Sequence, residues 1–375
     1  MTLLYKLART AAAVTMALIA GTASAQAVSN AEPIKIGFTS ATKTLLGSQM
    51  LKGAQYAMTQ LNAAGGVLGR KVELVVYDTA LNPAEGSNVA QRLVTENKVK
   101  FVAGEVSSTV AFAMIPTFKR AGVLYMAGIP KHPDVTTKGY DRLFRLNSTT
   151  EMDARALKPV LIARFPGKKV ALFNENTDFG LDGRKHLKAI FNEPGQIVFD
   201  ETYDISQSDF NAVVTNMRRS KADVLCITGT NPEHYGNVIR MAAEIGFKPS
   251  ICLMPGILYP GALKITGPAA EGAVSADIYV PSLDNPVNKA FVEGYKKAHG
   301  DEPDKSVAIG YESITLLAAA MTAAKTVEDP GKVAEVLKAG TWQTPRGGVR
   351  FAQDGQANGA YALLTVRDGR IAVSK

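Results

Sequence analysis

Two short loops hold the side chains best suited to grip an anion. Gly104-Glu105-Val106-Ser107-Ser108-Thr109 follows an apolar run and opens a helical pattern, so backbone N–H groups and serine hydroxyls converge where negative charge is favoured. A carboxylate is the natural guest, with Ser108 as its contact; ordinary N-capping by Ser107 or Ser108 accounts for the same hydroxyls equally well. Gly128-Ile129-Pro130-Lys131-His132-Pro133 follows the next apolar run and supplies a lysine, and the loop from Ser40 to Leu46 follows the first. Nothing completes a catalytic constellation. No G-x-G-x-x-G follows the first strand-like run, and neither a P-loop nor H-E-x-x-H occurs. His132, His186, His234 and His299 are scattered, none near a cysteine at ligand spacing, so neither a metal nor another cofactor is expected. Asp178 has no paired nucleophile or acid, which leaves it a hydrogen bond at a cleft edge.

These loops need a scaffold, and the hydrophobic periodicity supplies one. Strand-like runs at 34–39, 71–78, 100–103 and 123–127 alternate with helical patterns at 47–64, 83–97 and 109–120. Crossovers this short imply parallel strands with helices between them, a doubly wound α/β body. A second run of the same kind begins near Thr149, with strands at 169–174, 223–228 and 250–254 and helices near 183–191, 208–219 and 232–245. Beyond Pro281, helices at 286–299, 306–325 and 330–339 carry no strand run among them and so must cover a sheet already made. The tail alternates turns with short strands at 348–352 and 360–367, which suits late strands at a sheet edge. No Gly/Ser linker separates the bodies, so the joins are short crossings that act as a hinge rather than a tether.

The 375 residues are 46% hydrophobic and 20% charged, an ordinary folded composition with length for two domains. Lys6 and Arg9 precede an uncharged run from Thr10 to Ala20 and then Ala23-Ser24-Ala25, so residues 1–25 are expected to be a cleaved signal peptide. No cysteine follows that run, and the mature chain is expected free in the periplasm. The net charge of +8 is spread without like-charge blocks, which argues against nucleic acid as a partner. Cys226 and Cys252 lie in apolar strand-like runs, where a disulfide and two separate buried thiols both fit.

The run Ala63-Ala64-Gly65-Gly66-Val67-Leu68-Gly69-Arg70-Lys71-Val72-Glu73-Leu74-Val75-Val76-Tyr77-Asp78 resembles the leucine/isoleucine/valine-binding proteins of branched-chain amino-acid ABC transporters. Asn82-Pro83, Ala90-Gln91-Arg92-Leu93-Val94, Gly104 to Ser108, Thr177-Asp178-Phe179-Gly180, Asp209-Phe210, Pro232-Glu233 and Ala270-Glu271-Gly272 extend the likeness, in order, over the whole mature chain. The resemblance implies two Rossmann-like lobes joined by three crossovers, the type I periplasmic binding fold, with a solute held between them. The first lobe takes 32–147 plus 281–340 and the second 148–280 plus 341–375. It also implies a monomer without enzymatic activity, and an inner-membrane ABC transporter permease as partner. The rival on the same fold is a ligand-sensing regulator.

The resemblance places the ligand among Leu46, Glu105, Ser107, Ser108, Gly128, Ile129, Lys131, Phe179, Thr230 and Pro255. Several of these depart from the family pattern. Lys131 falls where amino-acid binders carry a threonine, and Pro255 falls where they carry the acid that meets the ligand's ammonium. Phe179 and Thr230 replace two tyrosines, and Leu46 replaces an aromatic residue in a shortened loop. A lysine has no lone pair to offer an ammonium and repels it. The expected ligand is therefore a carboxylate without an α-amine, an aromatic or aliphatic acid; branched-chain or other amino acids or amides are the alternative.

Overall fold

The computed structural model describes residues 31–374. The expected signal peptide lies outside them. The first sheet is parallel throughout, in the order β2-β1-β3-β4-β5, from β1 (Ile34–Ser40), β2 (Val72–Asp78), β3 (Phe101–Gly104), β4 (Leu124–Ala127) and β5 (Leu143–Arg145). Its crossovers are α1 (Leu45–Ala63), α2 (Pro83–Thr95), α3 (Ser108–Ala121) and the single turn α4 (Asp134–Thr137). Each long crossover begins with a side-chain cap, from Thr44, Asn82 and Ser107 in turn.

The second sheet begins after α5 (Thr150–Arg164). Its parallel strands are β6 (Val170–Glu175), β7 (Ile197–Tyr203), β8 (Val224–Thr228), β9 (Ser250–Leu253) and β10 (Val274–Asp277), linked by α6 (Asp178–Ile190), α7 (Asn211–Arg219), α8 (Pro232–Glu244) and α9 (Pro260–Thr266). The chain then returns to the first lobe as α10 (Pro286–His299), α11 (Lys305–Ala324), α12 (Pro330–Ala339) and a hairpin of β11 (Trp342–Thr344) and β12 (Gly347–Val349). The antiparallel strands β13 (Ala362–Arg367) and β14 (Arg370–Val373) complete the second sheet in the order β14-β13-β10-β9-β8-β6-β7.

Two features differ from the sequence reading. Residues 341–357 pack on the first lobe, through the Arg346–Glu312 ion pair and the Phe351–Phe144 ring contact, so the third crossing falls near 357–361 instead of after Gly340. The Arg145 guanidinium, buried at the first crossing, donates to Gln356, and the Gln356 amide donates to the Asn147 carbonyl; the first and third crossings are thereby bound into one strip. Strands β5, β7, β10, β11 and β14 were also unforeseen, because β5 and β11 are three residues long, β7 is a half-buried edge carrying Asp200 and Glu201, β10 buries Ser275 and Asp277, and β14 is a four-residue edge strand opening on Arg370. Cys226 and Cys252 are free, fully buried and directly opposed on β8 and β9.

Helix α11 is long and apolar enough to cross a bilayer, yet it is largely buried against α1, α12 and the first sheet, as expected of a core helix. Its contact with α1 is backbone to backbone. A Cβ on Gly53 would stand 2.0 Å from the Val307 carbonyl oxygen, and one on Gly310 would stand 1.9 Å from the Met50 carbonyl oxygen. Two side-chain-free positions thus let the helices seat, which fixes the head of α11, and with it Lys305, against the cleft. Gly310→Ala is expected to cost about 1–3 kcal/mol by overpacking this contact. Urea unfolding should show a lower midpoint at unchanged slope, and an unchanged midpoint would mean the helices are free to shift.

Candidate functional site

Ligands of open α/β sheets sit beyond the carboxyl ends of the strands. At that edge the lobes meet around a small chamber. The first lobe lines it with Leu46 at the start of α1, Val106 and Ser108 after β3, Ile129 and Lys131 after β4, and Lys305 at the head of α11. The second lobe adds Phe179 in the first turn of α6, Thr230 after β8, and Pro255, Gly256 and Ile257 after β9.

Glu105, Ser107 and Gly128, which the sequence reading also placed here, lie outside the lining and shape its loops instead. Glu105 takes a left-handed conformation (φ 75°) and is fully buried in the first lobe, its carboxylate accepting from the backbone N–H groups of Val106 and Ser107 and from the Thr79 hydroxyl. Burial pushes its carboxyl above the usual range, against the pull of those donors. Ser107 caps α3. Gly128 lets the β4 loop lie on α1, since a Cβ there would come within 2.8 Å of the Met50 sulfur.

The Ser108 hydroxyl oxygen accepts the backbone N–H groups of Lys131 at 3.0 Å and His132 at 3.1 Å. One side chain therefore holds the two anion-gripping loops together. With two donors on its oxygen, what remains to it is its own O–H, a donor at the chamber.

Lys131 reaches out of its lobe. Its ammonium donates to Asp153 at 2.5 Å and to the Ser148 hydroxyl at 2.8 Å, and both lysine and aspartate are buried. Asp153 accepts two further bonds, from Ser148 and from the Tyr361 hydroxyl. Lys305 makes a second buried pair with Asp277 at 3.3 Å. Burial pulls the Lys131 ammonium below its usual value, with Asp153 opposing, and burial raises Asp277, with Lys305 and Lys131 opposing. The chamber lining includes both lysines and no acidic side chain.

On the opposite wall Thr230 is already committed. Its N–H and hydroxyl both donate to the buried carboxylate of Glu175, at 2.9 Å for the N–H. Asp178 accepts from the Thr109 hydroxyl at 2.6 Å, joining the heads of α6 and α3 across the cleft. Among the described residues no group of histidines, cysteines and acids is placed to hold a metal ion.

Sequence reasoning missed Lys305, Asp153, Asp277 and Glu175. Lys305 did leave a signal, as a lysine opening a helix with no further charge until Glu312. The acids left none, since their role depends on which residues of the other lobe they face.

Two wound α/β lobes shut over a chamber made of post-strand loops define a protein that holds a small solute between its halves. The chain belongs to the periplasmic binding protein family, whose model matches residues 33–370, and is a type I member of its branched-chain amino-acid branch. It is 28% identical over 310 residues, 82% of each chain, to the leucine-, isoleucine-, valine-, threonine- and alanine-binding protein of Pseudomonas aeruginosa. The branched-chain amino acid transporter substrate binding protein of Streptococcus pneumoniae, solved with isoleucine, superposes with a TM-score of 0.83 at 25% identity, covering 91% of this chain and 98% of that one. A solute binding protein of an ABC transporter from R. palustris, solved with benzoate, also gives 0.83 at 21% identity, covering 91% and 95%.

The buried ion pair sets an expectation. Asp153→Ala leaves a buried ammonium without its partner and should cost about 3–5 kcal/mol, whereas Lys131→Met combined with Asp153→Leu should cost far less than the single change. Denaturant unfolding of both variants measures this, and equal losses would show that the pair is not coupled.

Proposed function

We propose that the chain is the exported solute-binding component of an ABC importer and that its ligand is a carboxylic acid lacking an α-amine, aromatic or aliphatic. One observation carries this reading: the chamber presents two ammonium groups and the Ser108 hydroxyl, with no carboxylate at its surface, beside the apolar faces of Leu46, Ile129, Phe179 and Ile257. An α-ammonium placed there would find no acceptor on Lys131 or Lys305 and none on Pro255. Two like charges about 4 Å apart repel by about 4 kcal/mol at an effective dielectric of 20. Of the nearby acids, Asp153 is paired with Lys131, Asp277 with Lys305 and Glu175 with Thr230. A carboxylate meets the opposite situation, with a free O–H donor and two cations ahead of it.

The benzoate held by the R. palustris protein supports the view that this fold accepts such ligands. The amino-acid relatives support the alternative, an α-amino acid. In either case a ligand touching both lobes favours the closed arrangement and gives a membrane permease a shape that reports occupancy. Export rests on residues 1–25, and a mature N-terminus at Gln26 in the periplasmic fraction is its test.

Calorimetric titration separates the two ligand classes. Aromatic and aliphatic carboxylates should bind and leucine should give no heat. Ser108→Ala, which removes a hydrogen bond to a charged group, should weaken the acids about 10- to 100-fold. Tight leucine binding with silent acids would overturn the proposal.

A further inference from the structure

The chamber beside Ser108 and Lys131 has a volume of about 20 Å³, little more than the space for one water-sized group. It takes an acid's head and leaves no room for a ring or chain. Two larger spaces adjoin it. Toward the mouth lies one of about 160 Å³, edged by Lys43, Asn231 and Glu233. Toward the hinge lies one of about 510 Å³, within the size range of small-molecule pockets, its walls mostly apolar at Leu258, Leu263, Val280 and Leu364 but edged by Asp277, Glu302, Asp304 and Arg370.

Lys305 lines both the small chamber and the hinge-side space. Its ammonium lies against Gly256, where a built Cβ would stand 2.2 Å from it. At this point Lys305, paired with Asp277, and Lys131 stand against a backbone that carries no side chain. Any residue larger than glycine at 256 would meet Lys305, and Gly256 is further fixed by its left-handed φ of 94°. The hinge-side space also draws its walls from both lobes and from the second crossing, at Tyr279 and Val280, so whatever fills it touches the parts that move.

We propose that the ligand is an elongated carboxylic acid, its carboxylate at Ser108, Lys131 and Lys305 and its apolar body passing beside Gly256 into the hinge-side chamber. The proposal rests on the acid reading above and narrows it from compact acids to those with a body of several carbons beyond the carboxylate. Burial of each added methylene is worth about fourfold in affinity.

The test is a calorimetric series from benzoate through 3-phenylpropanoate to 5-phenylpentanoate, on the full mature chain and on Leu263→Trp, which fills the chamber from its α9 wall. The mature chain should gain about fourfold per methylene. Leu263→Trp should lose the gain along the series. Ile371→Trp fills the chamber from β14 and should give the same result, which guards against misfolding of the first variant. A flat series in the unmodified chain, or an equal gain in both tryptophan variants, overturns the elongated ligand while leaving the acid reading intact. Silence of every acid, with leucine bound, removes both.

Discussion

Four ionisable groups buried where the lobes meet constrain everything else at this site. Lys131 with Asp153 and Lys305 with Asp277 each join a first-lobe lysine to a second-lobe aspartate. Taking such groups out of water costs several kcal/mol apiece, and only close pairing offsets it. The closed arrangement is therefore tolerated in one register, where each ammonium meets its carboxylate. Ser148 and Tyr361 complete the bonding of Asp153. Because both residues sit close to interlobe crossings, the hinge and the ion pair specify each other.

The same constraint decides what the cleft offers a solute. The small chamber is lined by both lysines and no acidic side chain although the quartet as a whole is neutral, while Asp277 lines the larger space beside it. Ser108 strengthens that bias by accepting the N–H groups of Lys131 and His132, which aligns the two loops and leaves a single donor outward. On the facing wall, Thr230 is bonded to the buried acid Glu175. Recognition at this site thus depends as much on which groups are already paired as on which are present.

Rigid packing elsewhere supports the placement. The approach of α11 to α1 through Gly53 and Gly310 leaves the head of α11 little freedom, so Lys305 arrives at the cleft at a fixed height. The strip that joins Arg145, Asn147 and Gln356 ties two crossings to each other. A hinge of this kind moves whole lobes and leaves each sheet intact, which is how small contacts at a ligand become a change of shape.

Alternation of strands and helices, turn signals and caps were legible residue by residue, because they depend on neighbours within a few positions. Thr44, Asn82 and Ser107 cap their helices as such residues do in any chain. Local pattern also marked Ser108, Ile129 and Lys131 as post-strand loop residues, while Leu46, Phe179, Thr230 and Pro255 were reached through the family likeness. Strand β7, half exposed at its edge, and β10, with a buried serine and aspartate, lacked that local pattern. The sequence by itself determined the class of fold and the loops at the cleft. Only the tertiary structure decided that Lys131 is paired with Asp153, that Lys305 joins it from 174 residues away and that Glu105 turns inward, because charge pairing across a cleft is set by distances in space that chain spacing does not encode.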